Sequence, residues 1–94
     1  RKAIQLKPNF KEAHVIFSIF LRNIGKLKDA EVFTRKAIKL NPGLAEAHLN
    51  LGNILQSLGR LKEAESSTRR TIELNPNFAE AHLNLGNILQ NLEA

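Results

Sequence analysis

The sequence contains no cysteine, methionine, tryptophan or tyrosine. Without cysteine there is no disulfide framework and no thiolate metal site. Without tryptophan or tyrosine, the rings on which single-stranded bases commonly stack are missing. Without methionine, even at residue 1, the chain is expected to be cut or trimmed from a longer product. No apolar run approaches the roughly 20 residues that a membrane helix needs, and nothing resembles a signal peptide. The expected location is cytoplasmic. What is present, 43% apolar and 24% charged residues over 94 positions, fits one small folded domain rather than a disordered tail.

Charge is uneven. Residues 1–41 carry ten Lys/Arg against three Asp/Glu, a net of +7; residues 42–94 carry four against six, a net of −2; the two sum to +5. A basic half can face an anionic partner. A solvated, Lys-rich helix surface is the plainer explanation, and it is the one preferred.

The dominant feature is self-similarity. AEAHLNLGNILQ stands at 45–56 and again, letter for letter, at 79–90, an offset of 34. Aligned on Pro8, Pro42 and Pro76, residues 8–41 match 42–75 at 15 of 34 positions, and 42–60 match 76–94 at 14 of 19. Residues 1–7 read as the tail of one repeat, 8–41 and 42–75 as full repeats, and 76–94 as the first helix of another. Within 42–75, Ala47, Leu51, Leu55 and Leu58 recur at helical spacing. Gly59 follows as a left-handed helix terminator. A second stripe, Leu61, Ala64, Thr68, Thr71 and Ile72, ends before Pro76, which disfavours helix at the residue before it. Helices are expected at 10–23, 27–40, 44–58, 61–74 and 78–92, with a short stub before Leu6. Asn77 with Glu80, and Asn9 with Glu12, have capping-box spacing. Gly52 and Gly86 sit in mid-helix, where Gly is unfavourable, and imply close helix contacts. Leu51, Gly52, Leu55, Ala64, Ile72 and Leu74 are the expected core. Each repeat thus reads as an antiparallel helix pair whose core is completed by its neighbours.

This pattern resembles the tetratricopeptide repeat, with its 34-residue period. The family's Trp, Leu, Gly, Tyr, Ala, Phe and Pro positions fall on His48, Leu51, Gly52, Leu55, Ala64, Thr68 and Pro76. His, Leu and Thr in place of the three aromatics thin the ring packing without removing the frame. The chain is most similar to the superhelical arrays of O-linked N-acetylglucosamine transferase-like and bacterial members of the family. The resemblance implies an all-α, right-handed solenoid acting as a protein–protein interaction module, with peptides gripped on the concave side lined by the first helix of each repeat.

A candidate surface follows. Glu46, Asn50, Asn53 and Ser57 form a polar stripe on one helix, and Glu80, Asn84, Asn87 and Asn91 repeat it. With Leu49, Gln56, Leu83 and Gln90 beside them, Glu46, Asn50, Asn53, Glu80, Asn84 and Asn87 are the expected peptide-binding residues. An Asn amide offers donor and acceptor together, so Asn50 and Asn84 are expected to stand exposed as a ladder for an extended segment. A solvated face recurring through duplication explains the same pattern. Val15, Ile16 and Ile19 break the stripe in the first repeat, either as an apolar pocket or, preferred here, as a surface covered by a preceding repeat. Val15, Ile19 and Glu80 stand where some family members place a cationic carboxylate clamp, so that clamp is not expected.

His14, His48 and His82 also recur every 34 residues. Stacked helices sit roughly 8–10 Å apart, too far for these rings to share an ion, so they read as half-buried replacements for an aromatic. No metal, cofactor or catalytic constellation is expected, nor a Gly-rich phosphate loop, and the chain is not read as an enzyme. A substrate-positioning segment of a larger transferase, and a nucleic-acid binder using the basic half, are the alternatives. Leu85, Ile88, Leu89 and Leu92 are expected to form a bare apolar face suited to Ala3, Ile4 and Leu6 of a second molecule in head-to-tail association.

Overall fold

The computed structural model describes the backbone of residues 10–93 and the side chains of residues 15–93. These residues form five helices and no strand: α1 (Phe10–Asn23), α2 (Leu27–Leu40), α3 (Ala45–Ser57), α4 (Leu61–Leu74) and α5 (Ala79–Glu93). Three coincide with the ranges read from periodicity. The other two start one residue late, because Leu44 and Phe78 supply the carbonyls that receive the first helical bonds. The stub expected before Leu6 lies outside the described residues.

Glycine makes two of the turns. Gly25 and Gly59 have φ of +86° and +81°, a conformation that costs a residue with a Cβ far more. After α3, the Gly59 N–H bonds Gln56 O at 3.0 Å and the Arg60 N–H bonds Leu55 O at 2.9 Å. This double bond closes the orphan carbonyls of a helix end and reverses the chain. The other turns use asparagine. Asn41 and Asn75 accept the N–H of Gly43 and Asn77 across each proline, at 3.2 and 3.3 Å. The side chain shaping the α4–α5 turn is therefore Asn75, and not Asn77 as the capping-box spacing implied. Asn9 and the Glu12 side chain lie outside the description.

Each helix packs mainly on its neighbours in sequence, and α1, α3 and α5 also touch side by side. The result is an α-solenoid. The second helices are thin where they meet the first. Ala30, Thr34 and Ala37 of α2, and Ala64, Thr68 and Thr71 of α4, are buried one period apart. The buried threonines stay satisfied by donating to the carbonyl four residues back, at 2.8 Å for Thr34 and Thr68 and 3.1 Å for Thr71. Leu51, Leu55, Ala64 and Ile88 make one core cluster across three helices, with Ile38 and Leu92 against it. Leu51, Gly52, Leu55 and Ala64 are buried as expected, whereas Ile72 and Leu74 are only half-buried at the edge of α4. At the outer edge of α1, Phe17 stacks on Phe20 at 6.2 Å and meets Phe33 edge-on at 4.9 Å.

The repeated twelve residues have two fates. In α3 seven of them are buried, Ala47, Leu49, Asn50, Leu51, Gly52, Ile54 and Leu55. In α5 only Ala81 and Ile88 are. Helix α3 is packed between α2 and α4; α5 has α4 on one side and, among the described residues, nothing on the other. A Cβ on Gly52 would meet Thr68 Oγ1 at 2.6 Å, but one on Gly86 would meet nothing within 4 Å. The close contact inferred for both glycines exists only at Gly52. Ile88, expected on the bare face with Leu85, Leu89 and Leu92, instead points back into the core. The other three are half-buried, and Ala3, Ile4 and Leu6 lie outside the description.

A charged clip ties the second helices together. Glu31 pairs with Arg35 and with Arg60, both at 2.9 Å, and Arg60 reaches Glu63 at 2.7 Å. Burial works to raise the Glu31 pKa, but hydrogen bonds from Arg35 and Arg60 outweigh it, and the net shift is downward. Glu63 is lowered as well, chiefly by its bond from Arg60.

Two outcomes follow. Gly52→Ala should lower unfolding free energy by about 1–3 kcal/mol through overpacking. Gly86→Ala should raise it by about 0.5–1 kcal/mol by removing backbone freedom; urea denaturation of the two variants measures the opposite signs. Because the folded Glu31 carboxyl lies below its ordinary value of 4.5, its contribution is complete above that pH and is lost as pH falls through the lower folded value. Thermal melts taken from neutral to acid pH should show a shallower acid limb for Glu31→Gln than for the parent.

Candidate functional site

Helices α1 and α3 and the start of α5 enclose a groove of about 310 Å³. Its apolar wall comes from Val15, Ile16 and Ile19 of α1, Leu49 of α3 and Phe78 before α5. Ile16 is 67% exposed, so among the described residues this end of the groove is open and apolar. Among the described residues of the lining, Arg22 is the one cation, and Glu46 and Glu80 are the acids.

At the base of the groove lies a closed polar network. Asn50 is only 3% exposed. Its amide donates to Ser18 Oγ, and to Thr34 Oγ1 at 3.1 Å. Its oxygen accepts from Arg22 Nη1 at 3.0 Å. Ser18 in turn donates to Val15 O at 2.7 Å. Both amide N–H groups and the carbonyl are thus committed inside the protein, and Asn50 joins one repeat to both helices of the repeat before it. The exposed ladder read from the sequence is corrected here: Asn50 is a structural group, buried in the helix interface. Asn84, its equivalent one period on, is half-buried and donates to Asn53 Oδ1 at 2.7 Å. The difference arises one repeat earlier, where Asn50 finds the Ser18 hydroxyl and Asn84 finds Gly52, which has no side chain.

Of the ten residues expected to bind, Glu46, Leu49, Asn50, Asn53 and Glu80 line the cavity. Gln56 and Asn84 are half-buried outside it, and Leu83, Asn87 and Gln90 are exposed outside it. Leu83 is 67% exposed. Arg22 and Phe78 were missed. Arg22 was legible, since it stands one 34-residue period before Gln56.

The histidines are turn fasteners. His48 Nε2 lies 2.8 Å from Pro42 O and His82 Nε2 2.7 Å from Pro76 O. Since each carbonyl only accepts, each Nε2 carries the proton. His48 is half-buried and His82 exposed; the His14 side chain lies outside the description. Among the described residues no group of His, Asp and Glu converges on a metal-sized site, and no helix is long and apolar enough to cross a membrane.

Removing Asn50 takes away the acceptor of Arg22 and the amide that donates to the Ser18 and Thr34 hydroxyls. Asn50→Ala should therefore lower unfolding free energy by about 1–3 kcal/mol, while Asn87→Ala at the surface should change it by less than about 0.5 kcal/mol; chemical denaturation distinguishes them.

Comparisons with known proteins can be set beside this geometry. Residues 45–78 match the sequence model of the tetratricopeptide repeat. Three solved structures are similar over nearly the whole chain. YrrB, described as a TPR protein with an unusual peptide-binding site, has 25% identity and a TM-score of 0.86 over 98% of this chain and 47% of its own. The first TPR of Spaghetti (RPAP3), bound to the HSP90 peptide SRMEEVD, has 27% identity and a TM-score of 0.88 over 99% and 74%. A Thermobaculum terrenum O-GlcNAc transferase mutant has 31% identity and a TM-score of 0.85 over 94% and 17%. This chain therefore spans about half the length of YrrB and a small part of the transferase. No curated protein sequence matches it significantly.

Proposed function

The chain belongs to the tetratricopeptide-repeat family, and from that premise we propose that the groove across α1, α3 and α5 receives an extended segment of a partner protein. The observation that carries this reading is the open apolar wall itself. Ile16 stands exposed beside Ile19, Leu49 and Phe78 at the mouth of a 310 Å³ groove, where burying one more aliphatic side chain contributes about 1.5–3 kcal/mol. Charge then sets direction. Arg22, fixed by Asn50 through one Nη, keeps further donors for a carboxylate. Glu46 and Glu80, both exposed, favour a cation elsewhere on the same segment. The segment is thus an apolar anchor with an acidic side toward Arg22 and a basic side toward the glutamates. An asparagine ladder does not carry backbone recognition, because both Asn50 N–H donors are bonded inside the protein.

Selection from a displayed library of random heptapeptides tests it. Enriched peptides should carry an aliphatic or aromatic residue, and Ile16→Asp should abolish their binding while leaving the melt unchanged, since Ile16 is a surface residue. Enrichment indifferent to both Ile16→Asp and Arg22→Gln would place binding elsewhere.

A second reading is favoured by the 31% identity to the transferase: the same groove would present substrate segments to an attached catalytic domain. The gene sequence beyond Ala94 decides between them.

A further inference from the structure

A second cavity, of about 430 Å³, lies on the other side of α3, between the second helices. Arg35, Ile38 and Lys39 of α2 form one wall and Ser66, Ser67 and Arg70 of α4 the other, with His48 and Leu51 of α3 at the bottom. Among the described residues, three of the eight that line it are cations and none is an acid. The cations differ in their commitments. Arg35 is held by Glu31 at 2.9 Å and approached by Glu63 at 3.7 Å, and Arg70 is held by Glu73 at 2.9 Å. Each of these contacts uses part of a guanidinium with five N–H donors and orients the rest. Among the described residues Lys39 has no carboxylate partner, and the Ser66 and Ser67 hydroxyls have no protein acceptor.

The combination is not a by-product of the repeat. One period earlier, Val32 and Phe33 stand where Ser66 and Ser67 stand here; one period later, Glu73 stands where Lys39 does. Among the described residues, only the junction between 8–41 and 42–75 brings three cations and two hydroxyls together above Leu51 and beside Ile38. A single carboxylate would engage one arginine. A phosphomonoester carries about −1.5 to −2 charges at neutral pH and three acceptor oxygens, which matches two guanidinium edges, one ammonium and two hydroxyls. The floor suits the short methylene or methyl stem beneath such a group.

We infer that this cleft between α2 and α4 is a binding site for a phosphorylated serine or threonine side chain of a partner protein. Among the described residues it shares no lining residue with the peptide groove.

The test uses the whole 94-residue chain, uniformly labelled with nitrogen-15, titrated at low ionic strength with the capped peptide Ala-phosphoserine-Ala, with its unphosphorylated form and with inorganic phosphate. The phosphopeptide should shift the amides of Arg35, Lys39, His48, Ser66, Ser67 and Arg70 saturably, and bind more tightly than inorganic phosphate. Lys39→Gln and Arg70→Gln should each weaken it roughly tenfold, the worth of a charge-assisted hydrogen bond. Lys26→Gln, a cation at the distant α1–α2 turn, should leave it unchanged. All three are exposed, and an unaltered melt shows that each variant is folded. Equal binding of the unphosphorylated peptide overturns the inference. So does inorganic phosphate binding as tightly as the phosphopeptide, or an effect of Lys26→Gln as large as that of Lys39→Gln.

Discussion

No helix pair in this chain can cover both of its own faces, and everything else in the structure answers to that constraint. Helices α3 and α5 carry the same twelve residues, yet α3 buries seven of them and α5 two. Sequence decides that the segment is helical and which face is apolar. Burial is decided by what stacks on either side. The small residues of the second helices, Ala30, Ala37 and Ala64, are buried in that stacking, and Gly52 leaves the space that the Thr68 hydroxyl occupies.

The same constraint separates structural polar groups from available ones. Asn50 is consumed because Ser18 and Thr34 stand where the preceding repeat meets it. Polar groups enclosed in this way specify register when every donor and acceptor is satisfied, and among the described residues no buried side-chain polar atom lacks a partner. At the groove mouth and in the cleft between second helices, Ile16, Arg22, Lys39 and the two serines keep surface or hydrogen-bonding capacity.

This explains how the sequence could be read and where it misled. Helix extents were legible because prolines and left-handed glycines punctuate the chain, and three helices begin and end at the residues expected. The core around Leu51, Leu55 and Ala64 was legible from spacing. The Asn ladder was not, since equivalent positions in successive repeats face different predecessors: a Ser in one case and a Gly in the other. Gly86 and Ile88 were misjudged for a related reason. A one-dimensional pattern shows that a face exists, but not whether the neighbour behind or the neighbour ahead covers it.

The neighbour-only packing has a kinetic side. Contacts run from α1 to α2, to α3, to α4 and to α5, with only lighter ones skipping a helix. Chain segments that meet are therefore close in sequence, and little loop entropy is lost before contacts form. Topologies of this kind fold in about microseconds to milliseconds. Assembly can begin at any adjacent pair and spread in either direction. The paired hydrogen bonds at Gly25 and Gly59 close two of those helix pairs through groups no more than five residues apart.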